Sequence, residues 1–229
     1  MTILAIDTSN YTLGIALLRD NTVIAEYMTY LKKNHSVRAM PAVHSLLNDC
    51  DITPQDLSKI VVAKGPGSYT GVRIGVTIAK TLAWSLKIPI SAVSSLEALA
   101  ANGRHFDGLI SPIFDARRGQ VYTGLYEYKN GLLEQALPDQ NVMLTEWLEM
   151  LKEKDRPVLF LGHDTSIHAE TILDVLGTKG IIGSAAQHNP RPSELAYLGA
   201  DSEAADIHGL VPDYLRLAEA EAKWIESQK

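Results

Sequence analysis

A glycine-rich turn is the stretch of the sequence whose residue types are best suited to binding chemistry. Residues 65–75 read Gly-Pro-Gly-Ser-Tyr-Thr-Gly-Val-Arg-Ile-Gly, between a β-branched run at Ile60–Ala63 and a helical pattern from Val72 to Leu86, with Thr70 as the predicted N-cap. The first turn of a helix presents unpaired backbone N–H groups, which favour an anion or another chain segment in close approach. The spacing fits neither the P-loop nor the dinucleotide fingerprint, so a purely structural turn remains an equal alternative.

Asp7 is a second candidate because it ends a buried apolar run and opens the turn Asp7-Thr8-Ser9. In one hypothesis its carboxylate positions a cation-bound water, and Thr8, Ser9, Gly67 and Ser68 are remnants of the same nucleotide site. In the other hypothesis, which we favour, the carboxylate caps its own turn.

Asp115 begins a second copy of this arrangement. The run Leu109–Asp115, a turn containing Arg117 and Arg118, and the run Val121–Tyr126 repeat the order strand, Asp, turn and returning strand. This weak duplication predicts two related lobes. Arg117 would either belong to the nucleotide-binding remnant and contact phosphate across a cleft between the lobes or, in the interpretation we favour, lie in a solvated turn.

The composition is that of an ordinary globular protein. A chain of 229 residues with 46% hydrophobic content can form one large domain or two small lobes. Cys50 is the only cysteine, so an internal disulfide is excluded. The first residues show no basic leader and no cleavable apolar segment, and the longest apolar stretch, Ile74–Leu86, is too short to span a bilayer. We therefore expect a cytoplasmic protein with no membrane role.

The charge pattern argues against tight binding of nucleic acid by this chain alone. The sequence has 27 acidic and 21 basic residues, which gives a net charge of −6. The basic pairs Lys32-Lys33 and Arg117-Arg118 lie far apart in the sequence. Neutralising phosphates requires a concentrated basic surface, which the sequence alone does not indicate.

Hydrophobic periodicity predicts the elements that position these residues. In the first half we predict strands at Ile3–Ile6, Leu13–Leu17, Thr22–Thr29, Ile60–Ala63 and Ile88–Val93, and helices at Ser36–Cys50, Val72–Leu86 and Ser95–Ala101. In the second half we predict strands at Leu109–Asp115, Val121–Tyr126 and Val158–Leu161, and helices at Thr145–Lys154, His168–Leu176, Ser193–Ala205 and Leu215–Glu226. The predicted fold is α/β, with an N-terminal lobe at residues 1–104 and a smaller C-terminal lobe at residues 105–229.

Two lobes that each open with strand, Asp, turn and strand resemble the actin, sugar-kinase and Hsp70 class of folds (ASKHA, ribonuclease H-like), with mixed sheets flanked by helices. Four stretches resemble one family more closely: Leu4–Ser9, residues 65–75, Asp115–Tyr122 and Pro212–Arg216. This is the TsaB family, also called YeaZ, and the resemblance covers nearly the whole chain. The glycine-rich turn with its following Val-Arg-Ile-Gly is the most specific element.

The resemblance implies a non-catalytic accessory subunit. The TsaB family is required for threonylcarbamoyladenosine formation next to the anticodon of tRNAs that read codons beginning with A, and it is similar to its catalytic partner TsaD, which has a metal-binding His-x-x-x-His helix. Here Ser95 and Leu99 stand at those positions, so no metal is expected. The expected partners are TsaD, the ATPase TsaE, tRNA through the complex only, and a second copy of the chain. No cofactor of its own is expected, while ATP, ADP or threonylcarbamoyl-adenylate would bind at the subunit junction.

Two other hypotheses remain open. The first is an autonomous ATPase or kinase in which Asp7, Gly67 and Ser68 hold ATP. Working members of the class usually place glycine two residues after the strand-end Asp, whereas this chain has Ser9 and Arg117 there, and a side chain obstructs the approach of phosphate. The second is a self-associating protein unrelated to tRNA.

The helical pattern from Val72 to Leu86 predicts an interaction surface. Its apolar arc spans about 200°, more than one sheet contact needs. Trp84 lies on the remaining polar stripe, in a setting typical of an interface anchor. With the resemblance, we predict that Trp84 binds the partner together with residues of this helix and the preceding one: Arg73, Thr77, Lys80, Val37, His44 and Leu47. In the alternative, the preceding helix covers this stripe within the lobe.

Overall fold

Two five-stranded mixed sheets with the same strand order form the framework of the computed structural model, which describes residues 1–215. The strands of the first sheet are β1 (Thr2–Asp7), β2 (Thr12–Arg19), β3 (Thr22–Tyr30), β4 (Lys59–Ala63) and β5 (Ile90–Val93). The strands of the second are β6 (Leu109–Asp115), β7 (Gln120–Lys129), β8 (Leu132–Met143), β9 (Val158–Leu161) and β10 (Gly180–Ile182). The predicted helix at Leu215–Glu226 lies almost wholly outside the described residues.

The strand order confirms the predicted duplication. The first sheet runs β3-β2-β1-β4-β5 and the second runs β8-β7-β6-β9-β10, so each strand of one half has a counterpart in the other. In both sheets the first three strands are antiparallel, and the last two are parallel to the central strand. The predicted α/β fold with two mixed sheets flanked by helices is therefore confirmed.

Six α-helices connect or cover these strands within the described part of the chain. They are α1 (Ala39–Asp49), α2 (Tyr69–Leu86), α3 (Ser95–Ala100), α4 (Leu144–Glu153), α5 (Thr165–Leu176) and α6 (Pro192–Ala200). α1 and α2 pack on the face of the first sheet that carries Leu4 and Ile6, while α6 packs on the face that carries Ile3 and Ala5. This is the two-residue alternation of a strand buried on both sides.

The third helix of each half packs on the sheet of the other half. α3 buries Leu96 and Leu99 against β6, β7 and β9 of the second sheet. α6 lies on the first sheet, close enough that a Cβ on Gly199 would overlap the Val61 side chain. The two lobes therefore meet through α3 and α6, and the predicted boundary between residues 104 and 105 stays a prediction.

Several boundaries differ from the predictions for local reasons. The predicted helix at Ser36–Cys50 is a 3₁₀ turn at His35–Val37 followed by α1, which begins at Ala39, so Pro41 lies in its first turn, where a missing N–H costs nothing. The strand predicted from Ile88 begins at Ile90, after Pro89. The helix predicted to Ala205 ends at Ala200.

Two strands, β8 and β10, were not predicted from the sequence. β8 contains Pro138 and few β-branched residues, which an edge strand tolerates because one side of its backbone needs no ladder partner. β10 has only three residues and lies in a stretch predicted as a loop. Both are edge strands of the second sheet. Of the helices at residues 1–215, none has the length and apolar content needed to cross a bilayer.

Candidate functional site

The glycine-rich turn joins β4 to α2 and packs against the β1–β2 turn. Ser68, not the predicted Thr70, is the N-cap of α2, and its Oγ accepts a hydrogen bond from the Gly71 N–H at 3.3 Å. The Ser68 N–H donates to the Ser9 carbonyl oxygen at 2.7 Å, and the Thr8 hydroxyl donates to the Gly71 carbonyl oxygen at 2.7 Å. The segment in close approach is therefore the chain's own first turn.

The glycines in this turn are required by that approach. A Cβ on Gly67 would overlap the Ser9 carbonyl oxygen, and a Cβ on Gly71 would overlap the Thr8 carbonyl oxygen. At Gly75, one turn further along α2, a Cβ would lie 2.5 Å from the Thr8 hydroxyl. Backbone packs directly on backbone here, which leaves no space between the β1–β2 turn and the start of α2.

Asp7 is buried beneath the same turn, with a side chain only 1% exposed. Its Oδ1 accepts a hydrogen bond from the Ser9 N–H at 2.8 Å, which is the turn-capping role that we favoured. Its Oδ2 is buried without a hydrogen-bond partner among the described residues, as is the Ser9 hydroxyl. Burial raises the pKa of the Asp7 carboxyl, although the hydrogen bond from the Ser9 N–H acts in the opposite direction.

The second strand-end carboxylate has a different environment. Asp115 is partly exposed, and its Oδ1 lies 3.2 Å from the His168 Nε2. The Asp115 N–H donates to the Asp164 Oδ2 at 2.9 Å, so a side chain from the start of the second-lobe helix supports this strand end. The turn that follows contains three consecutive left-handed residues, Arg117, Arg118 and Gly119, at φ of 66°, 56° and 73°.

A cleft of about 1120 Å³ lies between the two lobes. Its walls bring the glycine-rich turn together with both strand-end turns and with the segment that precedes α1. The lining residues include Ser9, Asn10, Tyr11, Lys32, Lys33, His35, Gly67, Ser68, Tyr69, Phe114, Asp115, Arg117, Arg118, Tyr122, Asp164, Asp213 and Tyr214. The basic pairs that are far apart in sequence therefore line one cleft. Of the predicted nucleotide-binding remnant, the cleft includes Ser9, Gly67, Ser68 and Arg117, whereas Asp7 and Thr8 lie behind its wall.

α3 occupies the position at which the family resemblance places a metal site. Ser95 and Leu99 are both fully buried. The Ser95 Oγ accepts a hydrogen bond from the Gly65 N–H at 3.1 Å, and the Ser95 N–H donates to the Gly65 carbonyl oxygen at 2.9 Å. Ser95 thus fixes the start of the glycine-rich turn. No group of three His, Cys, Asp or Glu side chains that could hold a metal ion occurs in residues 1–215.

The predicted partner-binding residues divide into three groups. Val37 and Trp84 are 69% and 64% exposed, and His44 and Thr77 are exposed as well. Arg73 is exposed, but its guanidinium donates to the Tyr69 hydroxyl at 2.9 Å. The other two, Leu47 and Lys80, are engaged inside the lobe. Trp84 is not covered by α1, which argues against the alternative that the lobe buries this stripe.

Leu47 and Lys80 differ from the prediction. Leu47 is 7% exposed and belongs to the core between α1 and the first sheet, because its position on α1 matches that of Val43 one turn earlier. The Lys80 ammonium donates to the carbonyl oxygens of His208 and Leu210, at 3.1 and 2.7 Å. Neither side chain is presented to a partner in this conformation.

The strap formed by residues 201–215 was not predicted from the sequence. It returns across the first lobe: the Ala205 N–H donates to the Ile90 carbonyl oxygen at 2.8 Å, and the Asp213 N–H donates to the Lys64 carbonyl oxygen at 2.7 Å. The Tyr214 ring then stacks on Tyr69, with ring centroids 5.0 Å apart. The motif at 212–216 gave the only signal, through the family resemblance and not through periodicity.

Two lobes of repeated topology around a central cleft define an actin-like, ASKHA-class protein. Over all 229 residues the chain is 89% identical to the tRNA threonylcarbamoyladenosine biosynthesis protein TsaB of Bacillus subtilis (strain 168), and the alignment covers 100% of both chains. The chain belongs to the TsaB family, which confirms the resemblance predicted from its motifs.

Other comparisons agree on family and fold. A family model described as "TsaD: tRNA N6-adenosine threonylcarbamoyltransferase" matches residues 22–224. The Escherichia coli (strain K12) protein named TsaB is 36% identical over 135 residues, which are 58% of each chain. The solved structure of YeaZ from Pseudomonas aeruginosa superposes with a TM-score of 0.76 at 23% identity, covering 93% of this chain and 99% of that one. At that identity the superposition shows the fold alone.

Proposed function

We propose that the chain is a non-catalytic scaffold subunit that binds and supports a TsaD-type threonylcarbamoyl transferase. The product of the complex would be N6-threonylcarbamoyladenosine at the adenosine next to the anticodon of tRNAs that read codons beginning with A. The relatives named for this biosynthesis support the pathway, and the match to the TsaD family model supports a partner of the same fold. We expect the complex to work in the cytoplasm, where it meets tRNA.

The observation that carries this proposal is the exposure of Trp84. Tryptophan is among the residues most enriched at the energetic centres of interfaces, and here 64% of it faces solvent. The opposite face of α2 is buried through Val72, Val76, Ala79 and Ala83, so the helix is fixed and cannot turn to hide this ring. Val37 and Met40, on the segment that leads into α1, are exposed as well.

Two features support a role without chemistry. Ser95 and Leu99 offer a hydroxyl and an isobutyl group where a metal-binding pair of imidazoles would be needed, and both are buried in packing roles. In the glycine-rich turn, the Ser68 N–H donates to the Ser9 carbonyl oxygen. This donor is therefore not available to a phosphate. We infer that the chain supplies a docking surface and leaves the transfer reaction to the partner.

An autonomous ATPase remains the second candidate, because one observation favours it. The Asp7 Oδ2 is buried and unpartnered among residues 1–215, as a carboxylate awaiting a hydrated cation would be. However, the backbone of residues 67–71 fills the space beside the turn that would receive the phosphate. Incubation of the purified chain with ATP separates the candidates: turnover above that of an Asp7→Asn variant would establish the ATPase.

The docking surface is tested by Trp84→Glu, with binding to the TsaD-type subunit measured by calorimetric titration. A charge at a buried anchor position should lower the affinity at least tenfold, about 1.4 kcal/mol or more. Leu132→Glu is the matched control, because Leu132 is 70% exposed at the start of β8 and lies on the other lobe. Both variants should keep the wild-type circular dichroism spectrum. An unchanged affinity for Trp84→Glu would eliminate the anchor.

The same variants rank the functional surfaces in the modification reaction. In a reconstituted complex, nucleoside analysis of tRNA should show a larger loss for Trp84→Glu than for Asp7→Ala. The opposite ranking would favour the nucleotide hypothesis, with ATP, ADP or threonylcarbamoyl-adenylate held at the subunit junction.

We further propose that the TsaE-type ATPase joins this complex and that two copies of the chain pair through the same helices. If Trp84→Glu abolished only self-association and modification persisted without the chain, a self-associating protein unrelated to tRNA would be the better description.

A further inference from the structure

The two basic pairs of the sequence face one another across the interlobe cleft. Lys32 and Lys33 follow β3 on the first lobe, while Arg117 and Arg118 form the tip of the β6–β7 turn on the second, and all four are exposed and line the cleft. The chain as a whole carries a net charge of −6. A local concentration of cations on an acidic protein is the electrostatic footprint of a bound polyanion, because it opposes the overall charge.

The carboxylates that line the same cleft are already partnered. Asp115 is paired with His168, Asp164 accepts the Asp115 N–H, and Asp213 lies 3.8 Å from the Lys64 ammonium. Of these contacts, only the one from Lys64 places a fixed positive charge beside a carboxylate. The four cations of the lining still outnumber its three carboxylates, so the lining as a whole is cationic.

Aromatic rings lie between the cations. Tyr11 is 46% exposed, with the Lys32 ammonium 5.4 Å from its ring centroid, and Tyr69 and Tyr214 form a stacked and exposed pair at the glycine-rich wall. Basic groups interleaved with aromatic side chains are the composition used to bind single-stranded nucleic acid, where bases stack on rings and cations follow the backbone.

The backbone of the cleft does not suit a mononucleotide held by its phosphates. The first strand-end turn is covered by residues 67–71, and the second presents arginine side chains at its tip where a phosphate hairpin would present bare N–H groups. Cationic side chains at two exposed rims suit a chain of phosphates that passes across the cleft. The volume of about 1120 Å³ also exceeds the usual range for a single small ligand.

We propose that the interlobe cleft binds a phosphodiester strand of RNA, held by Lys32 and Lys33 on one rim and by Arg117 and Arg118 on the other. This inference rests on the proposed function, which makes a tRNA the RNA at hand. The contact is weak in the isolated chain, because four cations neutralise few phosphates, and it becomes effective when a partner holds the rest of the RNA.

The cleft and the docking surface are far enough apart to be used together. Tyr69 begins α2 and lines the cleft, whereas Trp84 lies fifteen residues further along the same helix. At 1.5 Å per residue this is about 22 Å. One rigid helix therefore fixes the position of the RNA relative to the catalytic subunit.

The test uses the full chain, alone and in its complex with the catalytic subunit. A fluorescent unmodified tRNA transcript and a short single-stranded RNA are titrated by anisotropy between about 0.05 and 0.2 M salt. Two paired variants probe the rims, Lys32→Gln/Lys33→Gln and Arg117→Gln/Arg118→Gln. The matched control is Lys152→Gln/Lys154→Gln, which removes two exposed charges outside the cleft.

Each rim variant should weaken RNA binding about tenfold near 0.1 M salt and reduce the slope of log affinity against log salt by about 1.4, while the control matches wild type. Wild-type RNA affinity in both rim variants would overturn the proposal, and a loss confined to one rim would overturn the cleft as the site. If the variants lost affinity for ATP but not for RNA, the cleft would be a mononucleotide site instead.

The two proposals fail separately. Titration of the catalytic subunit into the rim variants should give wild-type affinity, because Trp84 is unchanged. If wild type did not bind the catalytic subunit, the scaffold function would fail, whereas the RNA titration of the isolated chain would still decide the role of the cleft.

Discussion

The two strand-end turns have the same place in the topology and opposite environments. The β1–β2 turn lies beneath the glycine-rich turn, with Asp7 at 1% exposure and backbone packed on backbone. The β6–β7 turn projects into solvent at the cleft, with Arg117 and Arg118 in left-handed conformations at its tip. The duplicated topology therefore contains one turn that is packed into its lobe and one turn whose side chains are exposed at the cleft.

The difference begins in the helix that follows the fourth strand of each half. In the first lobe, the start of α2 contacts the turn through backbone atoms at Ser68 and Gly71, which excludes a ligand from the space between them. In the second lobe, the start of α5 reaches the strand end through the Asp164 side chain. A side-chain contact leaves the turn itself uncovered, which is why the basic rim can exist there.

The largest loss of folding stability should come from Gly71→Ala, which places a side chain between the β1–β2 turn and α2. Alanine favours a helix by about 1 kcal/mol over glycine, but the new Cβ would overlap the Thr8 carbonyl oxygen, which belongs to backbone and cannot rotate away. We expect a net loss of about 3 kcal/mol, or a Tm lower by roughly 6–12 °C. Differential scanning calorimetry measures it.

Gly119→Ala in the exposed turn is the control for this comparison. Gly119 has φ of 73°, so alanine there costs about 1 kcal/mol of left-handed strain. The nearest atom to its added Cβ is the Met143 Cε at 3.2 Å, the end of a flexible side chain that can move. If Gly71→Ala were no more damaging than Gly119→Ala, the covered turn would not be the packing centre described above.

Replacing either strand-end carboxylate should change the free energy of unfolding by a smaller amount. Because burial raises the folded-state pKa of Asp7 above its usual 3.8, the wild-type protein loses stability as the pH rises through that raised pKa. Asp7→Asn removes this loss and keeps an oxygen for the Ser9 N–H. At pH 8 the variant should be more stable than wild type by about 1 kcal/mol, and the advantage should vanish in acid.

Thermal denaturation across a pH series measures this difference, with Asp115→Asn as the counterpart. Asp115 is partly exposed and paired with His168, so its replacement should cost stability and not add to it. An Asp7→Asn variant that was more destabilised at pH 8 than in acid would show that the Asp7 charge has a favourable partner in the folded protein.

The sequence predicted those features that depend on local patterns. Alternation and strand-end aspartates predicted β1, β2, β6 and β7 and the duplication, whereas the helix predicted from Ser36 begins only at Ala39, as α1. The choice of Ser68 over Thr70 as N-cap could not be made locally, because both residues cap helices well. The hydrogen bond from the Ser68 N–H to Ser9 decides it, and that contact joins segments far apart in the sequence.

The cleft and the docking surface were predictable only in part. The exposure of Trp84 follows from its place on a polar stripe, since helix geometry fixes which residues share a face, while its role in binding stays a prediction. Lys80 lies on the same stripe, yet its ammonium donates to the carbonyl oxygens of His208 and Leu210. The periodicity of α2 cannot reveal this contact, because the two acceptors lie on a distant segment. The meeting of Lys32-Lys33 with Arg117-Arg118 requires the packing of two lobes, which no local pattern specifies.

The smallest change in folding stability should come from Arg117→Gly, which relieves backbone strain in the exposed turn. Arg117 has φ of 66°, a conformation that costs a residue with a Cβ about 1–2 kcal/mol and glycine almost nothing. Glycine loses more chain entropy on folding, so the net gain should be about 0.5 kcal/mol, or 1–2 °C in Tm. Arg117→Ala removes the same charge and keeps the strain, so it should bring no gain, while both variants should weaken RNA binding equally. Equal melting temperatures for the two variants would show that the turn stores no strain at this position.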